Sequence, residues 1–227
     1  MRLLTIDGNG HGRGDLAEPL HVVCIGAHAD DLEIGCGGTI RQLVQQHPGS
    51  VVRWWVLTGD DARRREAHDA ARRLLGDVCS LQVCVSDFRD GYLPAQIGTV
   101  KEAFEAFRRA GDREPDLICT HNRDDRHQDH RVAGELTWNT WRDHLILEYE
   151  IPKWDGDLGQ PNFYVPLTDA TVQHKVDVLL STFATQQQKP WFDEATFRGL
   201  LRLRGIECRA AEGYAEAFHA RKLGIRP

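Results

Sequence analysis

The 227-residue chain contains no apolar stretch near the ~20 residues that a membrane-spanning helix requires. Its first residues lack the basic region followed by an apolar core that marks a secretory signal. These two absences predict a cytoplasmic protein with no membrane role. A formal net charge of −6 leaves no excess of basic residues for a nucleic-acid partner. No internal repeat or low-complexity block interrupts the sequence. The six cysteines show no C-x-x-C pairing and lie mostly inside apolar, strand-like runs. They read as reduced core residues more readily than as a disulfide frame or a thiolate metal site.

What the chain does have is regular alternation. Strand-like runs recur at Leu20–Ala27, Val51–Thr58, Ser80–Ser86, Asp116–His121 and Leu145–Ile151. Helical patterning fills the intervals at 34–47, 62–75, 96–110 and 128–142. This βαβα order predicts an α/β fold, three-layered and Rossmann-like, with a mostly parallel sheet covered on both faces. Beyond Ile151 the pattern changes to a loop at 153–162, a short strand at FYVPL, and helices at 169–182 and 193–204. That C-terminal segment is expected to complete the pocket of one domain over 19–227, preceded by a flexible polar arm over 1–18.

Two polar clusters fall at strand ends. AHADDLEIGCGGT (27–39) follows the first strand, and NRDDRHQDHR (122–131) follows the strand ending at His121. Open parallel sheets gather functional groups beyond the carboxyl ends of their strands, so the two clusters are expected to share one crevice. His127 and His130 stand three residues apart at the start of a helix, which places both imidazoles on one face. With His28 and Asp31 they make a mixed nitrogen and oxygen donor set. Two histidines and one carboxylate around a divalent ion leave a position open for water, the arrangement of a catalytic site. Asp30, beside Asp31, is placed to take the water's proton. Capping aspartates and a solvated charged loop would explain either cluster alone; the pair, each at a strand end, favours the metal.

These residues resemble the LmbE-like, or PIG-L, family of metal-dependent N-deacetylases. Its pattern of A-H-P-D-D, a glycine-rich turn and a later H-P-D-H or H-Q-D-H stands here as AHADD (27–31), GCGGT (35–39) and HQDH (127–130). Ala29 replaces the usual proline. The likeness extends through LTGDD (57–61), Arg63 and Glu66, DGYL (90–93), ILEYEIP (146–152) and YAEAF (214–218). The resemblance implies His28, Asp31 and His130 as metal ligands, Asp30 as general base, His127 as oxyanion stabiliser and Asp129 as its orienting partner. It further implies Arg63, Asp90 and Tyr214 at the substrate, Zn²⁺ as the ion with Fe²⁺ or Co²⁺ accepted by the same donors, and removal of an N-acetyl group from an amino sugar or glycoconjugate of the N-acetylglucosamine type. A homo-oligomer is left open.

Three other readings compete. A metallo-amidase acting on a non-sugar amide would use the same donors. A dinucleotide-binding Rossmann module would use the glycines after strand one, with Asp60 and Asp61 after strand two, but Gly35, Gly37 and Gly38 do not form G-x-G-x-x-G and begin eight residues beyond Ala27. An idle carbohydrate- or metal-binding protein would have no need of both Asp30 and His127.

Overall fold

The computed structural model describes residues 18–223; the polar arm expected over 1–18 lies, all but its last residue, outside them. Among the described residues seven strands form one sheet: β1 (His21–Gly26), β2 (Val51–Thr58), β3 (Ser80–Phe88), β4 (Leu117–His121), β5 (Ile146–Tyr149), β6 (Phe163–Leu167) and β7 (Tyr214–Ala220). Their spatial order is β3-β2-β1-β4-β5-β7-β6. The first five strands are parallel, while β7 inserts antiparallel between β5 and β6.

The parallel part follows from the apolar, β-branched runs, which can be buried on both faces. Alternate residues of β1 divide between two cores. Val22 and Cys24 pack with α2 (Gly37–Gln46), α3 (Asp61–Leu75), α6 (Asp169–Thr182) and α7 (Glu194–Cys208). Val23 and Ile25 pack with α4 (Ile97–Arg109) and α5 (Gln128–Thr140) on the other face. Cys24, Cys36 and Cys119 are fully buried together, and all six cysteines are free, as the sequence suggests. None of the described helices is long and apolar enough to cross a membrane.

Two departures from the sequence reading bear on the site. The helix expected over 34–47 starts earlier and is broken: α1 (Asp31–Gly35) ends at Cys36, and α2 begins at Gly37. The glycines there serve close packing. A Cβ on Gly35 would meet the Tyr149 ring at 2.2 Å, and one on Gly38 would meet Leu167 at 2.6 Å. The second departure is β7, for which no strand is assigned from the sequence. Its Glu216 accepts hydrogen bonds from Gly38 N and Thr39 N at 2.8 and 2.7 Å, and from Lys175 Nζ of α6 at 2.6 Å. Lys175 and Glu216 are buried, so this pair ties the helix behind the first motif to the C-terminal layer.

Because β2 and β3 are laid down on one side of β1 and β4 and β5 on the other, the direction of strand addition reverses across the β1/β4 junction, where the strands themselves stay parallel. A crevice opens where connections from adjacent strands leave to opposite faces. Both polar clusters sit at that junction.

Candidate active site

The two motifs meet there. The Nδ1 atom of His28 lies 3.1 Å from Nε2 of His130 and 3.4 Å from Oδ2 of Asp31. Nε2 of His130 is 3.5 Å from Oδ1 of Asp31. Donors about 2.0–2.1 Å from a tetrahedral ion stand about 3.3 Å apart; the His28 and His130 nitrogens are close to that spacing but meet different Asp31 oxygens, and the donor groups that form are His28 with His127 and His130, and Asp31 with His121 and His130.

The surrounding polar groups suit a cation at this point. His130 donates from Nδ1 to Oδ2 of Asp125 at 2.9 Å, which turns its Nε2 lone pair inward. His28 Nε2 faces Oδ1 of Asp90 at 3.1 Å and Oδ2 of Asp129 at 3.5 Å. If His28 donates to those carboxylates, its Nδ1 lone pair confronts that of His130. Either a second proton on His28 or a metal ion must separate them. Without an ion the proton fills this role: burial opposes charge on His28, yet Asp31, Asp129 and Asp90 hold it well above its ordinary value. Burial and the neighbouring His121 push His130 down to about 3, which keeps its lone pair available. Asp31 is buried, but His130, His121 and His28 hold it well below the usual carboxylate range. Neutral imidazoles and an ionised carboxylate are the forms a metal binds.

Asp30 lies in the same wall, and burial together with the charge of Asp31 pushes it up to about 6. His127 caps α5, and its Nδ1 accepts from Asp129 N at 3.3 Å. A neutral ring then carries its proton on Nε2, and burial followed by repulsion from His28 lowers its tendency to take a second. His127 is therefore a hydrogen-bond donor without being cationic.

His28, Asp30, Asp31, His127 and His130 line one cavity of about 190 Å³, together with Arg63 and Asp90. Its far wall comes from the C-terminal segment, through Lys153, Trp154, Gln186, Lys189 and Trp191. Arg63 is ion-paired with Asp90, so two residues expected at the substrate are brought to the rim, where Asp90 also meets His28. Tyr214 is not brought to the cavity; it stands at the start of β7 against the core on the α6 and α7 side. The Asp129 carboxylate accepts from Gly91 N and Leu93 N at 2.6 and 3.0 Å, and among the described residues no hydrogen bond joins it to the His127 ring.

Several groups escaped the sequence reading. His121 stacks on His130 at 3.9 Å between ring centroids and reaches Asp31 Oδ2 at 3.0 Å. Asp125 orients His130, and Lys153 faces Asp125 Oδ1 at 3.1 Å. Only the D-D-R-H run hinted at Asp125, since a loop aspartate carries no spacing signal. Trp154 and Trp191 could not be told from core tryptophans by sequence.

A family model described as GlcNAc-PI de-N-acetylase, PIG-L, matches residues 23–141, just over half of the chain. The chain belongs to the PIG-L family. The Escherichia coli protein YaiS, described as an uncharacterized deacetylase, is 29% identical over 137 residues, covering 58% of this chain and 74% of that protein. Among solved structures, the fold resembles the 4-carboxy-2-hydroxymuconate hydratase GalB of Pseudomonas putida KT2440, with a TM-score of 0.73, 17% identity, and 92% and 98% of the two chains covered. It also resembles the N,N'-diacetylchitobiose deacetylase of Pyrococcus horikoshii, with a TM-score of 0.63, 22% identity, and 88% and 82% covered. The teicoplanin deacetylase Orf2 gives a TM-score of 0.64 at 14% identity, with 87% and 96% covered. The structural likenesses establish the fold; membership of the PIG-L family and the YaiS likeness make this chain an N-deacetylase. The two motifs of this PIG-L deacetylase both lie inside the matched span. Its glycine turn packs against Tyr149 and Leu167, so it does not present the open backbone that a pyrophosphate needs.

Proposed function

We propose that this deacetylase removes the N-acetyl group from an amino sugar conjugate of the N-acetylglucosamine type, with Zn²⁺ held by His28, Asp31 and His130. The observation that supports this reading is the convergence of the His28, Asp31 and His130 side chains, the Asp30 carboxylate and the His127 ring on a single cavity. A divalent ion in such a site polarises the acyl carbonyl and activates water, and Fe²⁺ or Co²⁺ serves the same donors.

The chain's own residues perform the remaining steps. Water attacks the acetyl carbon as Asp30 takes its proton, and a base near its working pH does this best. His127 donates through Nε2 to the oxygen on which charge develops. The C–N bond then breaks, Asp30 returns the proton to the departing nitrogen, and acetate and a free amine result. At about 190 Å³ the cavity is smaller than the about 300–1,000 Å³ of sites that enclose a drug-sized ligand. It suits one sugar ring with its acetamido group, leaving the rest of the conjugate at the mouth beside Trp154, whose exposure is 70%.

Incubating metal-loaded protein with N-acetylated glycosides of varied aglycone, with and without chelator, tests this reading by amine release. Chelator-sensitive release is expected. Cleavage of phosphate or carboxylic esters with no amine from any glycoside would replace the deacetylase reading with a broader metallohydrolase.

A further inference from the structure

Of the six tryptophans, Trp54, Trp55 and Trp141 are buried in the two cores, and Trp138 and Trp191 are half-buried. Trp154 is different. It is 70% exposed and yet lines the cavity that holds His28, Asp30 and His130. Among the described residues no stacked ring, cation or hydrogen bond engages its indole. An isolated exposed apolar side chain on a plain surface calls for no explanation. One in the wall of a binding cavity offers its face to whatever the cavity takes in.

The turn that carries Trp154 is fixed from within. Nζ of Lys153 donates to both carboxylate oxygens of Asp157 at 2.8 Å, and it lies 3.1 Å from Asp125 Oδ1 and 3.9 Å from Asp155 Oδ2. Gly156 has a φ of 60°, which folds the chain back so that Asp157 reaches Lys153. Asp157 Oδ2 also accepts from Arg126 N at 2.6 Å, tying the turn to the loop before α5. The charged groups on both sides of Trp154 are thus paired with one another. What the turn leaves for a ligand is an indole on a held backbone, which keeps the ordering cost of stacking small.

We propose that Trp154 is a stacking platform for the group attached to the amino sugar, and that the group it selects is an aromatic ring. A polyhydroxylated aglycone would need free polar partners on this turn, where the charged groups are already paired. A flexible alkyl chain would bury area there without the offset or edge-to-face geometry that rewards two aromatic rings. An aryl group joined through the anomeric oxygen leaves the cavity at its mouth and meets the indole directly. This assignment rests on the deacetylase reading above and adds the chemical class of the aglycone.

The test uses phenyl and hexyl N-acetylglucosaminides, six carbons each in a flat and a flexible aglycone, with wild type, Trp154→Phe and Trp154→Ala. The high exposure of Trp154 makes both variants compatible with folding. The phenyl-to-hexyl ratio of kcat/KM should fall about three- to tenfold in Trp154→Ala, chiefly through KM, and be mostly kept in Trp154→Phe. Calorimetry with phenyl glucosaminide, the product amine, reads the same platform without turnover, and binding should weaken in Trp154→Ala by a similar factor. Equal ratios and equal binding in wild type and Trp154→Ala would overturn the platform while leaving the deacetylase reading intact. An equal loss for phenyl and hexyl would also overturn it, since that marks a general apolar contact. Absence of amine release from both glycosides would count against the deacetylase reading, and calorimetry would then decide the platform alone.

Discussion

Asp125 Oδ2 accepts the Nδ1 proton of His130 at 2.9 Å, and this one bond decides which nitrogen of the imidazole faces His28. Asp125 Oδ1 also accepts from His127 N at 2.7 Å, so the same carboxylate sets the entry to α5 and both of its functional rings. Lys153, itself only slightly exposed, holds Asp125 from behind.

Substituting Asp125→Asn should therefore weaken metal binding by about 10–100-fold, the usual effect of losing a partner that orients a ligating histidine. Competition against a chromophoric chelator measures it. Affinity equal to wild type would show that His130 needs no such partner.

For Asp30 the expectation separates binding from turnover. Asp30→Asn keeps the shape of the side chain and leaves the three donors in place, so metal content should persist while kcat falls by about 10²–10⁴-fold. Retained turnover in the metal-loaded variant would move the base to another group.

The pH dependence follows from the same residue. Burial and the adjacent Asp31 raise Asp30 to about 6 in the absence of an ion, and a bound cation favours its ionised form. Activity needs the carboxylate, so kcat/KM should be lost as pH falls through a limb at or below about 6 and be full above it. A limb above pH 7 in wild type would assign the acid side to a different group.

Lys175 and Glu216 join α6 to β7 through a buried ion pair. Glu216→Gln leaves the ammonium without its counter-charge, which should cost about 3–5 kcal/mol of stability. Chemical denaturation provides the measurement, and a loss under about 1 kcal/mol would mean that the pair contributes little to holding these layers together.

How far these features were legible in the sequence depends on how local their causes are. Apolar periodicity marked β1 through β5 and most helices to within a few residues, because burial on both faces leaves a continuous signal. The two motifs were equally legible, since His28, Asp31 and His130 are fixed by strand ends and a helix start. The break at Cys36 was not, because it is imposed by Tyr149 and Leu167 pressing on Gly35 and Gly38 from distant strands. The β7 strand was lost for a related reason: its pairing with β5 and β6 is entirely non-local, and the charged Glu216 in its middle is satisfied only in three dimensions. Part of the far wall of the cavity was hidden because Gln186 takes its setting through Thr185 from Glu66, 119 residues from Thr185.

The most direct measurement is amine and acetate release from an N-acetylglucosamine glycoside while metal-free protein is titrated with Zn²⁺. Release should be absent before addition, rise in proportion to added ion and saturate at one equivalent per chain, with His28→Ala showing neither tight binding nor release. Full release from the metal-free protein, or saturation unaffected by His28→Ala, would contradict a metal-dependent deacetylase built on His28, Asp31 and His130.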